Sequence, residues 1–167
     1  MQELRERIVK EGKVLPGNII KVDGFLNHRI DTQLMTHIAE EFGKHFNMDE
    51  VTVILTAEAS GIALSAIVAQ HFGKPMIFAK KAKSDNIEGG LYQSDIFSYT
   101  YKKKVTLLVS KEWLSADDKV LIIDDFMANG EAMRGLIDIV NAAGVNLKSL
   151  AIIESAEPGN IVFRDDD

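Results

Sequence analysis

The 167-residue chain contains no cysteine and only three prolines, and none of its apolar runs approaches the roughly 20 residues of a membrane-spanning helix. The lack of cysteine excludes disulfides and thiolate metal sites. The first residues, MQELRERIVKEG, are charged throughout and lack the apolar stretch of a secretory signal peptide. We therefore expect a cytoplasmic protein with no membrane partner.

The charge balance limits the partners further. Nineteen basic and 25 acidic side chains give a net charge of −6, which argues against broad nucleic-acid binding because basic side chains provide most of that affinity. Hydrophobic residues make up 46% of the chain and charged residues 26%, as is typical of a globular protein. The length suits one core, and we predict a single domain over residues 1–167.

Continuous apolar, β-branched runs alternate with helical patterns along most of the chain. Such runs are typical of strands that are buried on both faces of a parallel sheet. Strands are predicted over 51–57, 75–79, 105–110, 119–124 and 147–153. Their alternation with helices predicts an α/β fold with a doubly wound, mostly parallel sheet flanked by helices.

Two helices near the start have clear boundary signals. Leu4 and Ile8 lie about one turn apart and Gly12 follows, which predicts a short opening helix. A second helix, with apolar residues at helical spacing, begins at a cap provided by Asp31 or Thr32.

Three segments break the alternating pattern. Residues 14–31 read as a loop rich in turn residues. Residues 80–104 are polar and contain a Gly-Gly pair, so we predict a long mobile loop that runs into a β-ribbon around 94–99. The lysine run at 102–104 is interpreted as a solvated end of that ribbon. After residue 154 the sequence shows no clear closing element.

The stretch LIIDDFMANGEAM (121–133) carries the clearest chemical signal. Asp124 and Asp125 follow an apolar strand, and ligands of an open parallel sheet bind beyond such strand ends. The turn at 128–132 then leads into a helix, whose free N–H groups and dipole favour a phosphate. A solvated strand end would explain the two aspartates alone, but their combination with the turn favours a binding site.

Carboxylates beside a phosphate site narrow the choice of ligand. They repel the phosphate itself, but they accept hydrogen bonds from sugar hydroxyls or attract Mg²⁺. A ligand with a ribose between a phosphate and a magnesium-bound diphosphate satisfies both halves of such a site. The Gly-Lys-Ser/Thr of a P-loop is absent from the sequence, which argues against an ordinary nucleoside triphosphatase.

Four separated motifs resemble one known family. VLIIDDFMANGEA (120–132) resembles the phosphoribosyl-diphosphate (PRPP) signature of the type I phosphoribosyltransferases. Together with IIKVDGFLNHRID (19–31), EASGIA (58–63) and FAKKAKS (78–84), it is most similar to the bacterial xanthine phosphoribosyltransferases. The similarity is collinear over about residues 1–153. It implies the type I phosphoribosyltransferase fold, with a small hood formed by about residues 1–35 and the C-terminal segment.

The resemblance implies a PRPP site with a phosphate end and a diphosphate end. The residues assigned to it are Ala59, Ser60 and Gly61 at the diphosphate, Lys81 and Lys83 beside it, and Ala128, Asn129, Gly130, Glu131 and Ala132 at the 5′-phosphate. By the same resemblance, Asp124 and Asp125 are catalytic residues that face the ribose hydroxyls or hold Mg²⁺, directly or through water. The loop 84–92 would close over the site as a lid.

For the purine, the resemblance assigns Ile20 to packing on the base and Asn27 to hydrogen bonding. Phe126 would lie near the base or the ribose, and a role as a core aromatic residue stays open. The implied reaction is purine salvage, in which the 5-phosphoribosyl group of PRPP is transferred to xanthine to give XMP and diphosphate. Mg²⁺ is the implied cofactor and a homodimer the implied assembly. The alternatives are a guanine/hypoxanthine phosphoribosyltransferase and a non-catalytic PRPP-binding regulator.

Three positions bear on how closely the family's chemistry carries over. Ala128 stands where some hypoxanthine-guanine relatives carry an aspartate that serves the purine N7. Glu131 is expected to weaken phosphate binding unless its carboxylate points away. Ser155 follows Glu154 where the family has a lysine that contacts a purine oxygen, so the group that replaces this lysine is left open.

Overall fold

The computed structural model describes residues 1–15, 19–81, 90–98, 103–126, 130–154 and 160–164. Within these ranges the helical elements are α1 (Gln2–Glu11), α2 (Thr32–His45), α3 (Ser60–Phe72) and α4 (Glu131–Ala142), with a π-helical turn at Asp23–Asn27 and a 3₁₀ turn at Met48–Glu50. The strands are β1 (Lys13–Leu15), β2 (Ile19–Lys21), β3 (Val53–Ala57), β4 (Met76–Ala79), β5 (Leu91–Ser98), β6 (Lys103–Ser110), β7 (Lys119–Asp124), β8 (Asn146–Glu154) and β9 (Asn160–Arg164). In this described part of the chain, no helix is long and apolar enough to cross a membrane.

The central sheet has the strand order β4-β3-β7-β8-β9. The first four strands are parallel, with Ile54 opposite Leu121 and Leu121 opposite Ser149, whereas β9 runs antiparallel to β8. A mostly parallel sheet flanked by helices confirms the predicted fold class. The expectation that no element closes the chain after residue 154 is wrong, because β9 forms an edge strand on β8.

A second, smaller piece of sheet stands apart from the central one. Strands β5 and β6 pair antiparallel over their full lengths, and we call this pair the ribbon. An isolated bridge between Lys80 and Leu108 links it to the end of β4. The ribbon predicted around 94–99 is confirmed, and the strand predicted over 105–110 belongs to it and not to the central sheet. Residues 82–89 and 99–102 of the predicted loop and ribbon, which include most of the predicted lid over 84–92, lie outside the described residues.

Both faces of the central sheet are covered, as the continuous apolar runs predict. On β3, Ile54 packs with helices α2 and α3, while Val53 and Leu55 pack on the other face with α4 and the ribbon. Leu121 and Ile122 on β7 alternate in the same way. Two apolar cores therefore hold the carboxyl ends of β3 and β7 side by side.

The segment over 14–31 is more ordered than the loop that its turn residues predict. Its described residues form the short antiparallel pair β1–β2 and then the π-helical turn, in which Phe25 and Leu26 are fully buried. This turn packs against α3 and shares its apolar core. Asp31 then caps α2, because its Oδ1 accepts from Leu34 N–H at 3.1 Å.

Candidate active site

Asp124 and Asp125 stand at the carboxyl end of β7, in the middle of the central sheet. Their side chains are only 8% and 7% exposed, so the reading as a solvated strand end is wrong. The Asp125 backbone N–H donates to Asp124 Oδ1 at 3.0 Å, which holds the first carboxylate against the turn that follows the strand. Two adjacent carboxylates are thus buried where a parallel sheet binds its ligands.

The start of helix α3 closes one side of this carboxylate pair. Ser60 Oγ donates to Asp125 Oδ1 at 3.0 Å. A Cβ added to Gly61 would lie 2.7 Å from Asp124 Oδ1 and would also collide with Thr56 Oγ1. Glycine is therefore required at position 61 by this close approach, and the predicted residues Ser60, Gly61, Asp124 and Asp125 form one cluster.

Thr56 is a member of this cluster that the sequence reasoning missed. Its side chain is fully buried on β3, and its hydroxyl is one of the buried groups with no hydrogen-bond partner in the described part of the chain. A polar residue one position before the end of an otherwise apolar strand, VILTA, was the available signal. This hydroxyl lies close to Gly61, beside the two carboxylates.

Burial sets the electrostatics of the pair. Loss of solvent raises the pKa of Asp124 well above its usual value, and the negative charge of Asp125 raises it further, while Lys81 acts in the opposite direction. Two like charges in one buried site resist full ionisation. Hydroxyl donors or a divalent cation at this position would stabilise the ionised form.

A cavity of about 790 Å³ lies between the turn after β3 and the ribbon, where the sequence predicts the diphosphate end of the site. Its lining residues are Glu58, Ala59, Lys81, Leu91, Gln93, Lys103, Lys104, Val105, Thr106 and Leu108. The Glu58 carboxylate accepts from the Lys81 backbone N–H, and the Glu58–Ala59 peptide bond is cis. Ala59 and Lys81 thus line the same cavity, and Lys83 lies outside the described residues.

The ribbon's share of this cavity was not foreseen. Lys103 and Lys104 are exposed, as expected of a solvated ribbon end, and both also line this cavity. The cavity lining thus carries three lysines and one glutamate. Because strand pairing brings them there from far along the chain, no local sequence pattern indicates this role.

The start of α4 is where the sequence predicts the phosphate end of the site. Gly130 has a φ of 72° and occupies the position before the helix, and Glu131 and Ala132 are the first two helical residues. Ala128 and Asn129 lie outside the described residues. A helix start of this kind offers free N–H groups and a positive dipole end to a phosphate.

Glu131, the charge that disfavours phosphate, has other partners. Its Oε2 accepts from Phe97 N–H at 3.1 Å and pairs with Arg134 Nη2 at 3.1 Å. The bond from Arg134, followed by the bond from Phe97, lowers the pKa of Glu131 below its usual value. The carboxylate is therefore committed to the ribbon and to Arg134, which compensates its charge.

The predicted purine residues lie on separate elements of the fold. Asn27 is exposed at the end of the π-helical turn that packs on α3. Phe126 is half-buried against the core shared by α2 and α3, which is consistent with a packing role and leaves a base contact untested. Ile20 lies on β2 opposite Val14, and Ser155 falls outside the described residues.

Few side chains in the described part of the chain are grouped so that they could bind a metal ion. No group of three or more His, Asp or Glu side chains suited to a metal occurs in the ranges that the structure describes. Mg²⁺ commonly binds through one or two carboxylates and completes its shell with water and substrate phosphates. Asp124 and Asp125 fit a magnesium ion that arrives with a phosphorylated ligand.

The comparisons with known proteins agree with this geometry. The family model described as the phosphoribosyl transferase domain matches residues 22–159. The chain therefore belongs to the phosphoribosyltransferase family, which confirms the resemblance seen in the four motifs.

Full-length relatives show which kind of phosphoribosyltransferase the chain resembles. The chain is 46% identical to a xanthine phosphoribosyltransferase of Lachnoclostridium phytofermentans, over 99% of this chain and all of that relative. It is 48% identical to a xanthine phosphoribosyltransferase of Bifidobacterium longum, over 98% of this chain and all of that relative. These alignments extend over 193 and 192 positions against a chain of 167 residues, so both relatives carry residues that this chain lacks.

Solved structures show the same fold at low sequence identity. Adenine phosphoribosyltransferase from Saccharomyces cerevisiae is similar with a TM-score of 0.74 and 16% identity, over 92% of this chain and 89% of that one. The enzyme from Giardia lamblia gives a TM-score of 0.73 and 23% identity, over 90% of this chain and 83% of that one.

Proposed function

We propose that this chain is a purine salvage enzyme that transfers the 5-phosphoribosyl group of PRPP to xanthine, giving XMP and diphosphate. The full-length similarity to xanthine phosphoribosyltransferases supports this reaction. The structural observation that carries it is the buried Asp124–Asp125 pair, which lies at the end of β7 and is tied to the start of α3 through Ser60.

Each part of PRPP has a matching part of the site in this proposal. The backbone N–H groups at the start of α4 bind the 5′-phosphate. Asp124 and Asp125 accept hydrogen bonds from the ribose hydroxyls. Ala59 and Gly61 shape the loop around the diphosphate, and Lys81 neutralises part of its charge from the cavity wall.

The reaction breaks the bond between the ribose C1 and the diphosphate oxygen and forms a bond from C1 to a purine ring nitrogen. Positive charge develops on the ribose as the diphosphate departs, and the carboxylates of Asp124 and Asp125 stabilise it. Holding PRPP and base in contact provides much of the rate gain. Ala128 offers no acid or base, so the proton of the purine nitrogen passes to solvent or to another group of the site.

Mg²⁺ is proposed as the cofactor, held by Asp124 and Asp125 together with oxygens of PRPP. When bound, it neutralises charge on the departing diphosphate. Asn27 is proposed to hydrogen-bond the base, with Ile20 and Phe126 packing beside it. The hood is proposed to be part of the same single domain as the rest of the site. A homodimer is the proposed assembly.

Steady-state assays with PRPP, Mg²⁺ and xanthine, guanine or hypoxanthine test the reaction. We expect one diphosphate for each nucleotide formed, and the highest kcat/KM with xanthine. If xanthine were the poorest of the three bases, the guanine/hypoxanthine alternative would replace the proposal. PRPP binding with no nucleotide formed from any base would instead support a PRPP-binding regulator.

A further inference from the structure

We infer that Glu131 and Arg134 are positioning residues that fasten the ribbon to helix α4 and so keep the two ends of the PRPP site in register. The inference rests on the proposed function, because α4 begins at the proposed phosphate end and the ribbon lines the proposed diphosphate end. Neither residue needs to touch the ligand in this role. We call the pair and its contacts the latch.

The latch consists of charged contacts from α4 to one edge of β5. Arg134 Nη2 donates to the Asp95 carbonyl oxygen at 3.0 Å, and Phe97 N–H donates to Glu131 Oε2 at 3.1 Å. Arg134 is itself held by Glu131 and, at 3.0 Å, by Asp138 Oδ2. These contacts raise the pKa of Arg134, with the bond to Glu131 as the main cause.

The positions of the two backbone groups explain why side chains are needed there. Asp95 and Phe97 are two residues apart, so their outward backbone groups lie on the same edge of β5. In the described part of the chain β5 pairs with β6 alone, which leaves the other edge without a strand partner. Arg134 and Glu131 supply a donor and an acceptor at that edge, as a neighbouring strand would.

Close packing brings α4 near enough for these contacts. A Cβ at Gly135 would lie 2.9 Å from Leu107 Cδ1 and closer still to Ile96 Cγ2. One turn along the helix, Ser94 Oγ donates to Asp138 Oδ2 at 2.8 Å. The ribbon is therefore seated on α4 by a small residue in the middle and by polar contacts on either side.

The same contacts continue to the cavity at the diphosphate end. Asp95, whose carbonyl is held by Arg134, accepts from Thr106 Oγ1 on β6 at 2.7 Å. Thr106 lines the cavity beside Lys104. A chain of hydrogen bonds thus runs from the first turn of α4 through β5 to the cavity wall. Displacing the ribbon would move Lys103 and Lys104 relative to the phosphate end.

The latch and a purely electrostatic role for Glu131 predict opposite changes in PRPP affinity when Glu131 is removed. If Glu131 acted only as a negative charge near the 5′-phosphate, its removal would tighten PRPP binding. If it holds the ribbon in place, its removal loosens the site and weakens PRPP binding, because misplaced binding groups lose affinity.

The test compares E131A, E131Q, R134A and the double variant E131A/R134A with wild type. E131A and R134A are expected to raise the PRPP Kd about tenfold, the equivalent of one hydrogen bond to a charged group. E131Q keeps an acceptor for Phe97 N–H and should lie between wild type and E131A. The PRPP Kd of the double variant should be no higher than that of the weaker-binding single variant, because both substitutions break the same connection between α4 and the ribbon.

A matched control exists on α2. Glu41 and Lys44 form a pair with the same spacing at 2.8 Å, away from β5 and the cavity. E41A and K44A should leave the PRPP Kd unchanged. A merely structural role for Glu131 would lower the melting temperature of both E131A and E41A without a selective change in PRPP affinity, and that result would overturn the inference.

Hydrogen exchange of the ligand-free protein tests the latch independently of PRPP chemistry. The Phe97 amide should exchange at least about tenfold faster in E131A than in wild type, since its acceptor is gone. An unchanged exchange rate, or tighter PRPP binding by E131A, would refute the latch. If wild type neither binds nor uses PRPP, the proposed function fails, while the exchange rate still decides whether Glu131 holds the ribbon.

Discussion

Ser60 Oγ lies 3.0 Å from Asp125 Oδ1, so the first residue of α3 is hydrogen-bonded to the residue that follows β7. These two residues are separated by 65 positions in the chain. The bond joins the proposed diphosphate loop to the proposed ribose carboxylates and gives Asp125 a defined orientation before any ligand binds. Orientation of this kind is what a site needs in order to position a reactant.

Replacing Ser60 by alanine removes this bond while leaving the helix backbone free to form. We expect S60A to raise the KM for PRPP about tenfold, the usual value of one hydrogen bond to a charged group. Ser65 in the same helix provides the control, because its buried hydroxyl has no hydrogen-bond partner in the described part of the chain. S65A should leave KM unchanged, and equal effects of S60A and S65A would contradict the assigned role of Ser60.

Replacing Gly61 by alanine places a methyl group 2.7 Å from Asp124 Oδ1 and against Thr56. We expect G61A to lower the free energy of unfolding by about 1–3 kcal/mol, as overpacking does, and to reduce kcat/KM for PRPP. G24A is the control, since a Cβ at Gly24 would meet nothing within 4 Å. Urea unfolding and steady-state kinetics measure both effects. A G61A variant as active as wild type would show that the close approach is not part of the site.

Replacing Asp124 by asparagine removes a carboxyl whose pKa is raised by burial and by Asp125. A raised pKa in the folded state favours folding below the unfolded pKa, and this contribution is lost as pH rises through the folded pKa. In EDTA and without PRPP, D124N should therefore be more stable than wild type by about 1–3 kcal/mol at about pH 8, and by much less at about pH 5. A stability difference that does not change with pH would contradict the assigned burial.

Replacing Lys81 by methionine removes a charge from the cavity wall while keeping most of the side-chain volume. We expect K81M to raise the KM for PRPP about tenfold and to leave the KM for xanthine within about twofold, because the proposal places Lys81 at the diphosphate and away from the base. K10M, on the exposed face of α1, is the control. If K81M weakened binding of xanthine and PRPP equally, Lys81 would have a general structural role.

The parts of the fold that could be predicted from sequence are those with a local signal. Lys119–Asp124 was predicted as it stands in the structure, because its apolar run is continuous and ends at two aspartates. The hairpin and π-helical turn within 13–30 were missed, because strands of three residues and a five-residue turn show no clear periodicity. β9 was missed because an edge strand depends on its partner β8.

Residues of the candidate site were likewise predictable only where the sequence carries a local signal or motif. Asp124 and Asp125 were found from their place after a strand, and the motif similarity led to Ser60 and Gly61. Arg134 was missed, although its spacing of three residues from Glu131 on a helix was visible in the sequence. Lys104 could not be found locally, because only the pairing of β6 with β5 brings it to the cavity.

The most direct test of the central claim is nucleotide formation from PRPP and xanthine with Mg²⁺ by wild type and D125N, alongside calorimetric binding of PRPP. We predict that wild type forms XMP and diphosphate in equal amounts, that EDTA abolishes the reaction, and that D125N loses at least about a hundredfold in kcat/KM while remaining folded. Wild-type binding of PRPP with no nucleotide from xanthine, guanine or hypoxanthine, or full activity in D125N, would contradict the account.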